Sequence, residues 1–285
     1  MTIEVTRAPA ALGAEVRGVD LSRPLSAADF DAIQQAWYDH SVLLFRQQRL
    51  SDDDLIRFSK LFGELDLSPA SATDMAGSQE KSRPEIWIIS NVVENGRPIG
   101  ALGDKEADWH TDMSYVTEPP MASVLYSLEI PAVGGDTSFA NMYKAYETLP
   151  DALRAQVDGL TCHHDSSTTS VGETRVGAET VTDVRLAPGV THPMVRTHPV
   201  TGGRSLYLGR RRNAYVPGLS LADSEALLDR LWAHCEKPEF AWTHRWQVGD
   251  LLIWDNRCTI HRRDAFDPAS RRVMHRTQIK GDRPF

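Results

Sequence analysis

The chain has 285 residues, 41% of them hydrophobic and 25% charged, a globular composition that excludes collagen, coiled coil and wholesale disorder. Its 31 Lys and Arg against 39 Asp and Glu leave a net charge of -8, which argues against a nucleic-acid surface as its main business. No apolar run approaches a membrane span, the first residues lack a secretory pattern, and 3 scattered cysteines make no disulfide framework, so a cytoplasmic protein is expected.

In chain order, Ser26 followed by Ala-Ala-Asp29 reads as a capped helix start, with Phe30, Ile33 and Trp37 at helical spacing behind it. Val42–Arg46 reads as a strand. Ser51 with Asp54 opens a second helix carrying Leu55, Phe58, Leu61 and Phe62. Residues 68–84 form a long polar stretch, a candidate lid, before a strand at Ile86–Val92. Further strands are expected at Ser123–Leu128, Thr137–Ala140 and Ser205–Leu208, with a second long loop at 165–183. Ser220 with Asp223 starts a third helix that should stop before Pro238, and strands at Asp250–Trp254 and Arg272–Ile279 close the chain. Strands throughout with only a few helices predict one antiparallel β-structure with flanking helices, a single domain over 1–285.

Ten histidines make metal ligation the first chemistry to test. A His-x-acid pair on a strand points both side chains to one face, yet about 1.4 such pairs are expected by chance at this composition. There are three. His234-Cys235-Glu236 ends the third predicted helix, where residues two apart diverge by about 200°. His163-His164-Asp165 opens a polar loop and is expected to be solvated. His110-Thr111-Asp112, behind Trp109 and ahead of Met113-Ser114-Tyr115, is alone in looking like a strand-edge site. The basic cluster Arg204, Arg210-Arg211-Arg212 reads as a solvated loop, the alternative being cations set beside an anionic substrate or a subunit contact.

Trp109-His110-Thr111-Asp112, Glu118-Pro119-Pro120, Gly134-Gly135-Asp136-Thr137, Val248-Gly249-Asp250-Leu251, Trp254-Asp255-Asn256-Arg257, His261 and Arg271-Arg272-Val273-Met274-His275-Arg276 follow one another in an order that resembles the taurine dioxygenase / 2,4-dichlorophenoxyacetate dioxygenase family. The resemblance runs nearly end to end. It implies a double-stranded β-helix (jelly roll) and an Fe(II)- and 2-oxoglutarate-dependent dioxygenase that uses O2. Such an enzyme hydroxylates a small organic anion, a sulfonate, phenoxyalkanoate or other carboxylate, and releases succinate and CO2. It also implies a homo-oligomer, a dimer or tetramer.

Carried onto this chain, the metal ligands are His110, Asp112 and His261, a two-histidine, one-carboxylate set that leaves three positions open. Asp112 argues against halogenation, for which a small residue would stand there. Arg272 and Thr137 match the groups that hold the distal carboxylate of 2-oxoglutarate; a guanidinium fork suits that task. Arg276 matches the arginine that meets the substrate's acid group. On a strand, Arg272, Met274 and Arg276 share a face, with the two arginines about 13 Å apart at roughly 3.3 Å per residue. The partner of Arg276 is either the substrate or a protein carboxylate such as Asp108 or Glu106. The chain departs from taurine dioxygenase after Phe62-Gly63-Glu64-Leu65, where small residues replace a histidine and a tyrosine, and at Glu106-Ala107-Asp108, where an asparagine has no match. Taurine is therefore not the expected substrate. The rival expectation is a cupin-like zinc-binding protein without turnover, which would need neither Arg272 nor Thr137.

Overall fold

Alternation along the strands sorts side chains to two faces, and both faces are covered. In a computed structural model, which describes residues 3–67 and 83–285, the strand Val42–Phe45 sends Val42 and Leu44 one way and Leu43 and Phe45 the other. Leu251–Asp255 does the same with Leu252 and Trp254 against Leu251 and Ile253. This is why such strands read as continuous apolar runs.

Eight strands form the larger sheet, in the order Glu4–Arg7, Ala14–Arg17, Val42–Phe45, Leu251–Asp255, Ala122–Glu129, Val273–Ile279, Trp87–Ser90 and Ala101–Leu102. Four more make the smaller sheet, in the order Ala241–His244, Thr137–Asn141, Thr259–Arg263 and Ala107–His110. Pairing is antiparallel except at Ala14–Arg17 with Val42–Phe45 and at Trp87–Ser90 with Ala101–Leu102. Inner faces meet through Leu44, Leu125, Leu252, Trp254 and Met274 of the larger sheet and Phe139 of the smaller. The fold is mainly β, as expected.

Helices cover the outer faces. Ala27–His40 and Asp52–Lys60 bury Ile33, Trp37, Leu55 and Phe58 against Leu43, Phe45, Val124 and Ile253. Both start as the sequence indicates. Ser26 accepts from the Asp29 amide, and Ser51 with Asp54 forms a reciprocal capping box. Leu221–Cys235 begins at the Ser220 cap, stops before Pro238, and lays Leu227, Leu228 and Leu231 over Ala140 and Ile260 of the smaller sheet. Among the predicted strands, Ser205–Leu208 is shorter, at Arg204–Leu206, and pairs with Val195–Thr197 outside the two main sheets. The candidate lid at 68–84 lies, except for its last two residues, outside the described residues. The other, 165–183, begins on Asp165, the last residue of the strand Thr161–Asp165, and then runs without helix or strand beyond a single bridge between Thr168 and Thr174.

Candidate active site

His110 ends its strand, and Asp112 stands in the turn that follows. The two therefore do not converge by strand alternation, as the spacing suggested; the turn swings Asp112 back, with Met113 at a left-handed φ of 46°. His261 lies in register opposite His110 on the neighbouring strand. Directly paired antiparallel residues share a face, so the two imidazoles meet with ring centres 4.2 Å apart. One ligand atom each from His110, Asp112 and His261 falls within 4.8 Å of the others, and all three residues are buried.

The surroundings prepare these groups to bind a cation. His110 Nδ1 donates to the Asp108 carbonyl at 2.7 Å, which leaves Nε2 facing Asp112. Burial, reinforced by the charge of its neighbour His261, holds His110 well below the usual histidine range, and burial lowers His261 as well. Neutral imidazoles are the ligating form. Burial alone would raise Asp112, but the Arg276 guanidinium and the two imidazoles outweigh it, and the carboxyl stays below its ordinary range. Ser123 Oγ donates to Asp112 Oδ2 at 2.7 Å and accepts from Asn256 and Gln278. Arg276 Nη1 approaches Asp112 Oδ1 at 3.2 Å and lies over the Trp87 ring. The partner of Arg276 is thus Asp112, not Asp108 or Glu106; Glu106 pairs instead with Arg262 at the surface.

Arg272 sits in the same cavity as His110, His261, Thr137 and Arg276, walled by Ile89, Leu102, Leu125 and Trp254. It is 2% exposed. Among the described residues its only side-chain hydrogen bond runs from Nη2 to the Gly135 carbonyl at 3.4 Å, and its Nε has no partner. Gly135, at φ 70°, allows this approach, since a Cβ there would meet the Arg272 side chain at 3.3 Å. Burial, with the charge of Arg263 nearby, pulls the guanidinium down to about 9, still protonated at neutral pH. Thr137 Oγ1 accepts from Trp246 Nε1 at 3.0 Å on the inner face of its strand. A buried guanidinium without a counterion, beside a cluster of three metal-type ligands, is the donor set that a metal-chelating dicarboxylate requires. Arg271 is the contrast: it lies at the surface, paired with Glu129 and Glu94.

The other histidine pairs fall elsewhere. His234 is buried and turns to the Ala145 carbonyl at 2.9 Å, away from any ligand cluster. His163-His164-Asp165 is not solvated: it ends the strand Thr161–Asp165, with His164 2% exposed and Asp165 capped by Ser167, Thr168 and Asn213. The His164 ring packs against those of Tyr207 and His192, and this burial overrides the polar composition of the run. The basic cluster divides as well. Arg204 and Arg211 make surface ion pairs, but Arg210 is buried beside His110. Ser123 and Arg263 are site residues that went unmarked in the sequence, and Arg210, whose cluster was expected to be solvated, lies buried beside His110. Ser123 could have been found by counting back two from the inward-facing Leu125; for Arg210 and Arg263 a single sequence carries no local signal.

A model of the taurine catabolism dioxygenase TauD, TfdA family matches residues 4–278. The chain belongs to that family and is, with it, an oxidoreductase of the 2-oxoglutarate-dependent dioxygenase class. It is 34% identical to a pentalenolactone F synthase of Streptomyces arenae over 99% of this chain and 97% of the relative. It is 33% identical to an (S)-phenoxypropionate/alpha-ketoglutarate-dioxygenase of Delftia acidovorans, over 98% of this chain and 96% of the relative. A taurine dioxygenase structure from Burkholderia xenovorans superposes with a TM-score of 0.81 at 34% identity, covering 100% of this chain and 91% of that one.

Proposed function

We propose that the protein uses Fe(II), 2-oxoglutarate and O2 to hydroxylate a small organic anion, with release of succinate and CO2. The observation that carries this is the joint presence, around one cavity, of the His110, Asp112 and His261 cluster and the uncompensated Arg272. A zinc site without turnover has no use for the second, and membership of an enzyme family counts further against it.

His110, Asp112 and His261 would hold the iron, which supplies the means to activate O2 when 2-oxoglutarate is bound. Arg272 and Thr137 bind the distal carboxylate of 2-oxoglutarate, the arginine compensating its charge and the threonine hydroxyl, already fixed by Trp246, orienting it. Ser123 and Arg276 keep the Asp112 carboxylate ionised and aimed. Leu102, Leu125, Ile89 and Trp254 exclude water, so that the oxidation is directed to the substrate's C–H bond. Arg276, on the same inner face as Met274, reaches the cavity while paired with Asp112, so an anionic substrate would meet it only as a second, shared partner.

The same reading takes the two packed sheets as a jelly roll in one domain, 1–285, with 165–183 as a lid whose Ser170 reaches the cavity wall. It takes the chain as a dimer or tetramer in the cytoplasm, where its three buried free cysteines would stay reduced. Succinate release by the iron-loaded protein, assayed across sulfonates, sulfate esters, phenoxyacids and neutral analogues, tests the proposal. Substrate-dependent succinate with an anion is the expected result. Turnover of neutral compounds only would overturn the substrate class, and no succinate under any condition would overturn the reaction.

A further inference from the structure

Pairing across the smaller sheet lines up one row of inward-facing residues. Phe139 is opposite His261, His261 is opposite His110, and an isolated antiparallel bridge sets Arg210 opposite His110 on its other side. Residues paired in this way point to the same face, so Arg210 extends the row of the two imidazoles by one strand spacing, about 4.8 Å. Gly209 makes this edge possible: its carbonyl accepts from the Thr111 amide at 2.9 Å, and at φ 69° a Cβ would stand 2.6 Å from Ser114 Oγ.

Arg210 is 9% exposed, its Nε is buried without a partner, and its Nη1 donates to the Thr168 carbonyl at 2.6 Å. Arg175 donates to the same carbonyl from Nε at 3.1 Å and stacks over the Tyr115 ring. Two guanidinium groups thus converge on one neutral oxygen, and among the described residues neither forms an ion pair with a carboxylate. A buried cation in that state is unfavourable until an anion arrives. Arg276, by contrast, already has Asp112.

We propose that Arg210, backed by Arg175, binds the oxyanion of the substrate. The head group then lies on the side of His110 away from His261 and from the Thr137 strand, under the 165–183 loop that carries Thr168 and Arg175. The substrate is a carboxylate, sulfonate or sulfate ester whose charged end is held there while its carbon chain points back toward the metal ligands. This rests on the proposed dioxygenase reading and adds the residue that would select the substrate's charge.

The test titrates anaerobic, iron- and 2-oxoglutarate-loaded protein with hexanesulfonate and with phenoxyacetate by calorimetry, which separates the two oxyanion types. Arg210→Gln should weaken the bound anion by about tenfold to a hundredfold, the range for losing a hydrogen bond to a charged group. Arg210→Lys should recover part of that, because it keeps the charge but not the fork; it also serves if the glutamine variant does not fold. Arg175→Gln should weaken binding less, and Arg185→Gln, at an exposed pair with Asp183, should not change it. Anion affinity unaltered in both Arg210 variants, an equal loss of 2-oxoglutarate affinity, or failure of both anions to bind the parent protein would each overturn the inference. Failure of the parent protein to bind 2-oxoglutarate would instead overturn the reading beneath it.

Discussion

Replacing Arg272 by Met should move stability and cosubstrate affinity in opposite directions. In the free protein the guanidinium is buried, holds one carbonyl at 3.4 Å and leaves Nε unpaired. Methionine fills similar apolar space without a charge, so the free protein should gain on the order of 1 kcal/mol, as replacement of uncompensated buried ionic groups does. The affinity for 2-oxoglutarate should fall, because its distal carboxylate would enter the cavity without a counter-charge. Truncating one partner of a buried charge pair costs about 2–5 kcal/mol, or a factor of roughly 30 to several thousand. Urea unfolding with and without 2-oxoglutarate reads both effects. Saturating cosubstrate at a hundred times its Kd should add about 2.7 kcal/mol to the parent protein and about 0.9 kcal/mol or less to the variant at the same concentration. Arg271→Met, at the exposed pair with Glu129, should leave 2-oxoglutarate binding as it was. If Arg272→Met destabilises the free protein and keeps full 2-oxoglutarate affinity, Arg272 is a structural residue and the cosubstrate pocket lies elsewhere.

His110→Ala, Asp112→Ala and His261→Ala should each remove the visible charge-transfer absorbance of the anaerobic protein with Fe(II) and 2-oxoglutarate, while His163→Ala should keep it; the opposite pattern would relocate the metal. Asp255 is buried between Arg257 and His198; burial pushes its carboxyl up, the Arg257 charge outweighs that, and the net shift is below the ordinary value of 3.8. Its stabilising contribution is therefore full above that value and lost as pH falls below it, and Asp255→Asn should flatten this acid limb of an unfolding-free-energy profile. Ser51→Ala removes the hydroxyl half of the capping box on Asp52–Lys60, leaving the Asp54 carboxylate on the residue-51 amide, and should cost about 0.5–2 kcal/mol in denaturant unfolding, with no change in metal affinity.

Much of this protein is written locally. Ser26, Ser51 and Ser220 mark helix starts because a short hydroxyl satisfies amides that the helix itself leaves free, an interaction contained within four residues. The strands around Leu44, Leu125 and Leu252 are legible because a core on each face favours apolar residues on both, with Ser123 and Ser127 as the buried polar exceptions. The parity that puts Met274 on the inner face with Arg276 also follows from period 2 alone, whereas Arg271 lies outside because it stands before the strand begins at Val273. The ordered motifs then identify the family and point to His110, Asp112 and His261 as the candidate ligands.

Tertiary structure decided what depends on residues far apart in the chain. His261 reaches His110 only because their strands pair in one register, and Asp112 joins them through a turn that strand alternation does not foresee. Arg276 finds Asp112 from the opposite sheet, so its counterion was not among the acidic residues nearest the motif. Arg210 belongs to a run of three arginines whose composition reads as a wet loop, and a single bridge to His110 turns one of them inward. His164 and Asp165 are buried for a similar reason, since the strand Gly189–Pro193 pairs with theirs. Local sequence sets which conformations and faces are favoured within a few residues; which charge meets which is a matter of long-range pairing, and there only the folded chain supplies the answer.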